Sequence, residues 1–133
     1  MQWYIEKRVL YVALVGDLDV EAVVEVQANM LKRMEEGTPP IHLIRDERRI
    51  GKVPSRLPMM DNARKLAQHP ALGWVVSIDG NLNAAARFLF NLAIRLMRLR
   101  ICRVTSLQEA VQFLESVDTS LDFSQISERA IAK

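Results

Sequence analysis

The chain has 133 residues, half of them hydrophobic, about a quarter charged and 6% aromatic, with 18 Lys and Arg against 16 Asp and Glu for a net charge of +2. That length makes one ordinary domain able to bury roughly two-thirds of its unfolded surface, with no room for a second, and the composition excludes a disordered or membrane-spanning chain. The small net charge and scarcity of aromatics argue against nucleic-acid binding, which concentrates basic charge and stacks bases on rings.

The opening Met1-Gln2-Trp3-Tyr4-Ile5-Glu6-Lys7-Arg8 lacks the basic, apolar, small-residue order of a secretory signal. No uncharged apolar run approaches ~18 residues, so a soluble cytoplasmic protein is expected. Cys102 is the single cysteine, which excludes an internal disulfide and a thiolate metal cage.

Trp3-Tyr4-Ile5 and the run 9–15 are rich in aromatic and β-branched residues around a charged break, and they read as a hairpin. Asp19 is placed to cap a helix over 20–36, with Val23, Val26, Met30 and Met34 on its buried face and Gly37 as its stop. Glu21 and Glu25 near its start and Lys32 and Arg33 near its end suit the helix dipole. Thr38-Pro39-Pro40 ends helix, and the short apolar run 41–44 reads as a strand covered on both faces.

The segment 45–58 is the least regular. A helix over about 59–68 follows, halted by His69-Pro70, then a buried strand over 73–78 and a turn at Asp79-Gly80-Asn81. The next helix, 83–99, confines Asn83, Arg87, Asn91, Arg95 and Arg98 to a stripe about 120° wide, and the rest of its circumference is Ala, Phe, Leu, Ile or Met. One sheet face cannot cover so wide an apolar arc. A strand over 101–105 leads into Ser106-Leu107-Gln108-Glu109, a capping box that starts a helix carrying Leu107, Ala110, Val111 and Leu114 on one side. The domain is expected to span 1–118. The tail 119–133 is either a short helix docked through Phe123, Ile126 and Ala130 or a frayed end.

The order β-β-α-β-α-β-α-β-α predicts an α/β fold: a single-layer mixed sheet flanked by about four helices, with right-handed parallel crossovers. Gly16-Asp17, the segment 45–58 and Asp79-Gly80-Asn81 all follow carboxyl ends of strands and should share the edge where open α/β sheets place ligands.

That order resembles the STAS superfamily, the fold of the anti-sigma-factor antagonists, and within it the small stand-alone SpoIIAA-like proteins, related in fold to CRAL-TRIO lipid-transfer domains. The resemblance is carried by Val12-Ala13-Leu14-Val15-Gly16-Asp17-Leu18, by Ile41-His42-Leu43-Ile44-Arg45-Asp46, and by His69-Pro70-Ala71-Leu72-Gly73-Trp74-Val75-Val76. Its most specific part is the closing Arg103-Val104-Thr105-Ser106-Leu107-Gln108-Glu109-Ala110-Val111-Gln112-Phe113-Leu114. It implies a non-catalytic interaction or regulatory domain. The antagonists' phosphorylatable serine sits in an Asp-Ser/Thr-Ser-Gly type turn. The nearest hydroxyl by position is Ser55, in Val53-Pro54-Ser55-Arg56, with neither the Asp nor the Gly. Ser55 is a phosphorylation candidate by position only, or an ordinary helix cap.

The segment 45–58 holds five basic residues, Arg45, Arg48, Arg49, Lys52 and Arg56, against Asp46 and Glu47. With Asp17, Ser55 and Asp79 from the same edge, Arg48, Arg49, Lys52 and Arg56 are the ligand-binding or partner-binding candidates, toward a phosphate, carboxylate or acidic partner. The same residues also make a solvated charged loop, since the glycine spacing of a phosphate cradle is missing. An enzyme using Asp17, Ser55, Arg56 or Asp79 is the least favoured reading. His42 and His69 have no serine, cysteine or carboxylate at catalytic spacing and read as structural, so no catalytic residue, metal or cofactor is expected.

Phe88, Phe90, Ile94 and Met97 are the self-association candidates on the 83–99 helix, which makes a homodimer, or a complex with another protein, the expected partnership. Arg87, Arg95 and Arg98 on an anionic membrane would supply about 3 kcal/mol at ~1 kcal/mol each, near a hundredfold, so no stable membrane attachment is expected. The alternative function is a carrier or sensor of a small apolar, lipid-like or anionic ligand.

Overall fold

A computed structural model describes residues 1–52, 60–79, 88, 92, 95–96 and 100–125. Strand β1 (Gln2–Ile5) turns back through Lys7, the one non-glycine residue with positive φ among those described, into β2 (Val9–Gly16). Helix α1 (Val20–Glu36), β3 (Ile41–Ile50), α2 (Met60–Ala67), β4 (Leu72–Ile78), β5 (Ile101–Val104) and α3 (Leu107–Val117) follow. The five strands form one sheet in the order β1-β2-β3-β4-β5, the first pair antiparallel and the rest parallel. The mixed α/β sheet expected from the alternation is the one observed.

Local chemistry explains both capped helices. Asp19 Oδ1 accepts from the Ala22 amide at 2.8 Å, and the Gly37 amide donates to Arg33 O at 3.1 Å. In α3, Ser106 Oγ accepts from the Glu109 amide at 3.1 Å. The Glu109 carboxylate reaches back one residue further than in an ordinary capping box, to the Thr105 amide (2.9 Å) and hydroxyl (3.1 Å).

The core lies on both faces of the sheet. On one, Leu10, Val12, Ile41, Leu43, Leu72 and Val75 pack under Met30 and Met34 of α1 and Leu66 of α2. On the other, Tyr4, Val9, Tyr11, Ile44, Val76 and Ile78 pack under Ala110 and Leu114 of α3. Trp74 meets Phe113 edge-on with ring centroids 5.0 Å apart. Each large side chain so buried is worth about 1.5–3 kcal/mol.

One expectation changes, and one open alternative narrows. The strand expected over 41–44 runs to Ile50, pairing Val15 with Arg49 and Gly16 with Ile50. Its second half, Arg45-Asp46-Glu47-Arg48-Arg49, alternates faces as any strand does, but with charges that pair along the strand instead of apolar residues that pack. Of the two alternatives for the tail beyond 118, docking or fraying, the described part as far as Gln125 is attached, Phe123 included. Ser120 bonds Asp118, Phe123–Gln125 is a 3-10 turn, and the Phe123 ring lies 6.4 Å from that of Tyr4. Ile126 and Ala130 lie outside the described residues.

Candidate functional site

The carboxyl ends of β2, β3 and β4 carry Asp17, Arg48, Arg49, Lys52 and Asp79 at one edge of the sheet, with a different charged network on each face. On the α3 face, Tyr11 and Asp46 stand on neighbouring strands and Arg48 is two residues beyond Asp46 on the same side. Arg48 grips Asp46 with two parallel bonds, Nε to Oδ1 at 2.9 Å and Nη2 to Oδ2 at 2.7 Å, while the Tyr11 hydroxyl donates to Oδ2 at 2.5 Å. The Arg48 bonds hold the Asp46 carboxyl at about 2 against the opposing effect of burial, with the Tyr11 bond adding to them. Burial, then the bond to Asp46, pushes the Tyr11 phenol up to about 12. The Asp46 carboxylate raises Arg48 further above its already high value.

On the α1 face, Arg45, Ser77 and Arg103 form one row across β3, β4 and β5. Arg45 pairs with Glu47 at 2.8 Å and Arg103 with Asp79 at 2.7 Å, and Asp79 and Arg103 are nearly buried. Burial raises the Glu47 carboxyl, Arg45 opposes the rise, and the charge of and bond to Asp79 raise it further. A pair of carboxyl groups at a sheet edge resembles an acid and base, but here each also pairs with a guanidinium, Glu47 with Arg45 and Asp79 with Arg103. At the corner of the same edge, Asp17 Oδ1 accepts from the Lys52 amide at 2.7 Å, and the Gly51 amide donates to Gly16 O at 2.8 Å. A Cβ on Gly51 would collide with Asp17 Oδ1, so the glycine is there to let the carboxylate close the turn.

Of the candidates named from the sequence, Arg48, Asp17 and Asp79 have internal partners. Arg49 and Lys52 are exposed. Ser55 and Arg56, like Phe90, Ile94 and Met97, lie outside the described residues.

The opposite, amino edge holds a network that the sequence does not reveal. His42 is 2% exposed and its ring is pinned at both nitrogens. Nδ1 accepts from the Trp74 amide at 2.9 Å, which leaves the proton on Nε2, 2.8 Å from Asp118 Oδ2. Arg8 Nη2 binds the same carboxylate at 3.0 Å, and Ser120 caps its other oxygen. Burial pulls the Asp118 carboxyl up, but the bonds from Ser120 and His42 outweigh it and hold the group at about 2. Burial lowers His42 below its ordinary value. A His-Asp pair suggests a catalytic relay. Here no ring nitrogen is left to take a proton from a substrate, and the arrangement clamps β3, β4 and the end of α3 together. Gly73, in a strand beside an irregular register, was the available signal: a Cβ there would stand 2.5 Å from the His42 ring.

Phe88, Leu92, Arg95 and Leu96 are helical, and the three apolar side chains are 67%, 43% and 75% exposed. At 100° per residue they rise from the edge of the polar stripe, where Arg95 lies, into the apolar arc. These are large hydrophobic groups that the sheet and its other helices leave in water.

A five-stranded mixed sheet with this strand order and crossovers, and helices on both faces, has the STAS-like fold. The solved structure titled "Structure of the Anti-Sigma Factor Antagonist SpoIIAA in its Unphosphorylated Form" matches it with a TM-score of 0.53, over 84% of this chain and 92% of that chain, at 17% sequence identity. No family model matches the chain, and no curated protein matches it by sequence. At that identity the likeness is one of fold. Among the described residues no helix is long and apolar enough to cross a membrane.

Proposed function

We propose that this chain is a non-catalytic interaction and regulatory module of STAS-like fold that self-associates through the segment 83–99, within which Phe88, Leu92, Arg95 and Leu96 are helical. The observation that carries the reading is the exposure of Phe88, Leu92 and Leu96, spaced one helical turn apart, where most other large apolar side chains among the described residues are enclosed. A contiguous apolar strip rimmed by an arginine marks a protein contact rather than a solvated face. A second copy is the simplest occupant, because the strip can face itself. The likeness to an anti-sigma factor antagonist supports a regulatory role by analogy of fold. The antagonists' phosphoserine turn is not part of the proposal, since Ser55 lacks its flanking Asp and Gly.

Sedimentation equilibrium between about 1 and 100 μM tests the reading. The protein is expected to dimerise, and Leu92→Asp to weaken the dimer at least a hundredfold. Losing one buried leucine from each of two copies removes about 3 kcal/mol or more, and every 1.4 kcal/mol is tenfold. The circular-dichroism spectrum should be unchanged, since Leu92 is exposed in the monomer. A monomer throughout that range, or a dimer indifferent to both Leu92→Asp and Phe88→Asp, would overturn it.

A further inference from the structure

Arg45 stands in register with Ser77 and Asp46 with Ile78, so one position further on Glu47 and Asp79 are side by side on neighbouring parallel strands, on the α1 face. Like charges set directly opposite each other destabilise a strand pair. Two arginines flank the conflict. Arg45 Nη2 lies 2.8 Å from Glu47 Oε1 and Arg103 Nε lies 2.7 Å from Asp79 Oδ2, so four charged groups in a row cross the carboxyl ends of β3, β4 and β5. The Asp79 amide also donates to Val104 O at 3.0 Å, and β5 joins the sheet through β4 alone. The two carboxyl groups therefore meet where the outermost strand is fastened.

Ionised carboxylates only accept hydrogen bonds, so Glu47 and Asp79 bond each other only while one of them carries a proton. Glu47 is the carrier. Its partner Arg45 is 38% exposed and screened by water, whereas Asp79 and Arg103, at 9% and 11%, hold each other as an enclosed ion pair. We propose that Glu47 donates this one proton to Asp79 as a pH-sensitive clasp between the ends of β3 and β4, closed in acid and opened as pH rises. Among the described residues the charged groups acting on Glu47 are Arg45 from its own strand, Asp79 from the end of β4 and Arg103 from β5. Burial raises the Glu47 carboxyl above its ordinary 4.5, the two arginines oppose the rise, and Asp79 adds to it. As pH climbs the unfolded chain gives up the proton first. The stability the clasp contributes is complete below 4.5 and is lost as pH rises through the folded value.

An NMR titration of the side-chain carboxyl carbons in the unmodified chain tests the clasp directly. Glu47 should show a midpoint above 4.5, and the Asp79 carboxyl signal should move at the same pH. Glu47→Gln supplies the second test, because its amide can donate to Asp79 at every pH. The advantage of its urea midpoint over that of the unmodified chain should grow from about pH 4 to about pH 7. His42 and Asp46 titrate in both chains and drop out of that difference. Hydrogen exchange locates the effect: the Asp79 amide should lose protection as pH rises in the unmodified chain and keep it in Glu47→Gln. A Glu47 midpoint at or below 4.5, or a difference between the two urea midpoints that does not grow with pH, would overturn the clasp.

Discussion

Replacing Gly73 by alanine tests whether the His42–Asp118 pair is a clamp of the fold. The added Cβ would stand 2.5 Å from both Cε1 and Nδ1 of His42, closer than carbon tolerates, and the ring in its way is buried and bonded at both nitrogens. Either the ring moves and gives up the Trp74 and Asp118 bonds, about 1 kcal/mol for the first and somewhat more for the charged second, or the backbone at Gly73 and Trp74 opens at a cost of about 1–3 kcal/mol. Either route costs about 2–3 kcal/mol, or roughly 10 °C in Tm for a domain of this size. Urea unfolding followed by circular dichroism reads the loss directly. In a His42→Ala background the obstacle is gone, so the same glycine change should cost about 2 kcal/mol less than it does alone. A Gly73→Ala loss below about 0.5 kcal/mol, or strict additivity with His42→Ala, would refute the clamp.

The pH dependence of stability follows from two of the shifted groups. Burial keeps His42 below its ordinary value of 6.5, so as pH falls the unfolded chain takes up the proton first. Its contribution is present in full above pH 6.5 and declines as pH drops toward the folded value. Urea midpoints between pH 7.5 and 5 should fall, and His42→Gln should flatten that slope; an equal slope in the variant would contradict the assignment. Asp46, held at about 2 where an ordinary aspartate sits at 3.8, corresponds to about 2 kcal/mol at 1.36 kcal/mol per unit, reduced to about 1–2 because Arg48 is 40% exposed to screening water. That contribution is present above pH 3.8 and lost as pH falls through 2. Asp46→Asn should therefore cost about 1–2 kcal/mol at pH 7 and nothing near pH 2, by the same unfolding assay; a constant cost across that range would refute it.

What could be read from the sequence is what depends on near neighbours. Asp19 before an apolar-periodic run, and Ser106 with Glu109 three residues on, make bonds over three positions, so both helix starts were legible. The second half of β3 was not, because Asp46 and Arg48 look like loop residues until strand geometry puts positions two apart on one side and lets them neutralise each other. For the same reason Arg48 reads in sequence as an open ligand and stands in the structure as a partner of Asp46. His42 reads as isolated because its partners lie 32 and 76 residues away. The tail reads as weakly patterned because Asp118 and Ser120 act through Arg8 and His42 rather than through any periodicity of their own.

These pairings bear on where binding energy can come from. An anion approaching the carboxyl edge must compete with Asp46 for Arg48 and with Asp79 for Arg103, and either exchange replaces a charged bond at 2.7 Å with another of similar strength, for little net gain. Arg49 and Lys52 stay exposed, but single solvated charges contribute at most about 1 kcal/mol each. The strip from Phe88 to Leu96 has no internal partner to displace among the described residues, and covering it removes apolar surface from water with nothing given up in exchange. On this arithmetic a partner gains more from the helix than from the charged rim, and the energy of association should depend only weakly on salt. Raising NaCl from 0.1 to 0.5 M should leave the dimerisation constant within about threefold, because screening acts on charge and not on buried leucine. A tenfold or larger weakening would return the contact to the arginines at the sheet edge.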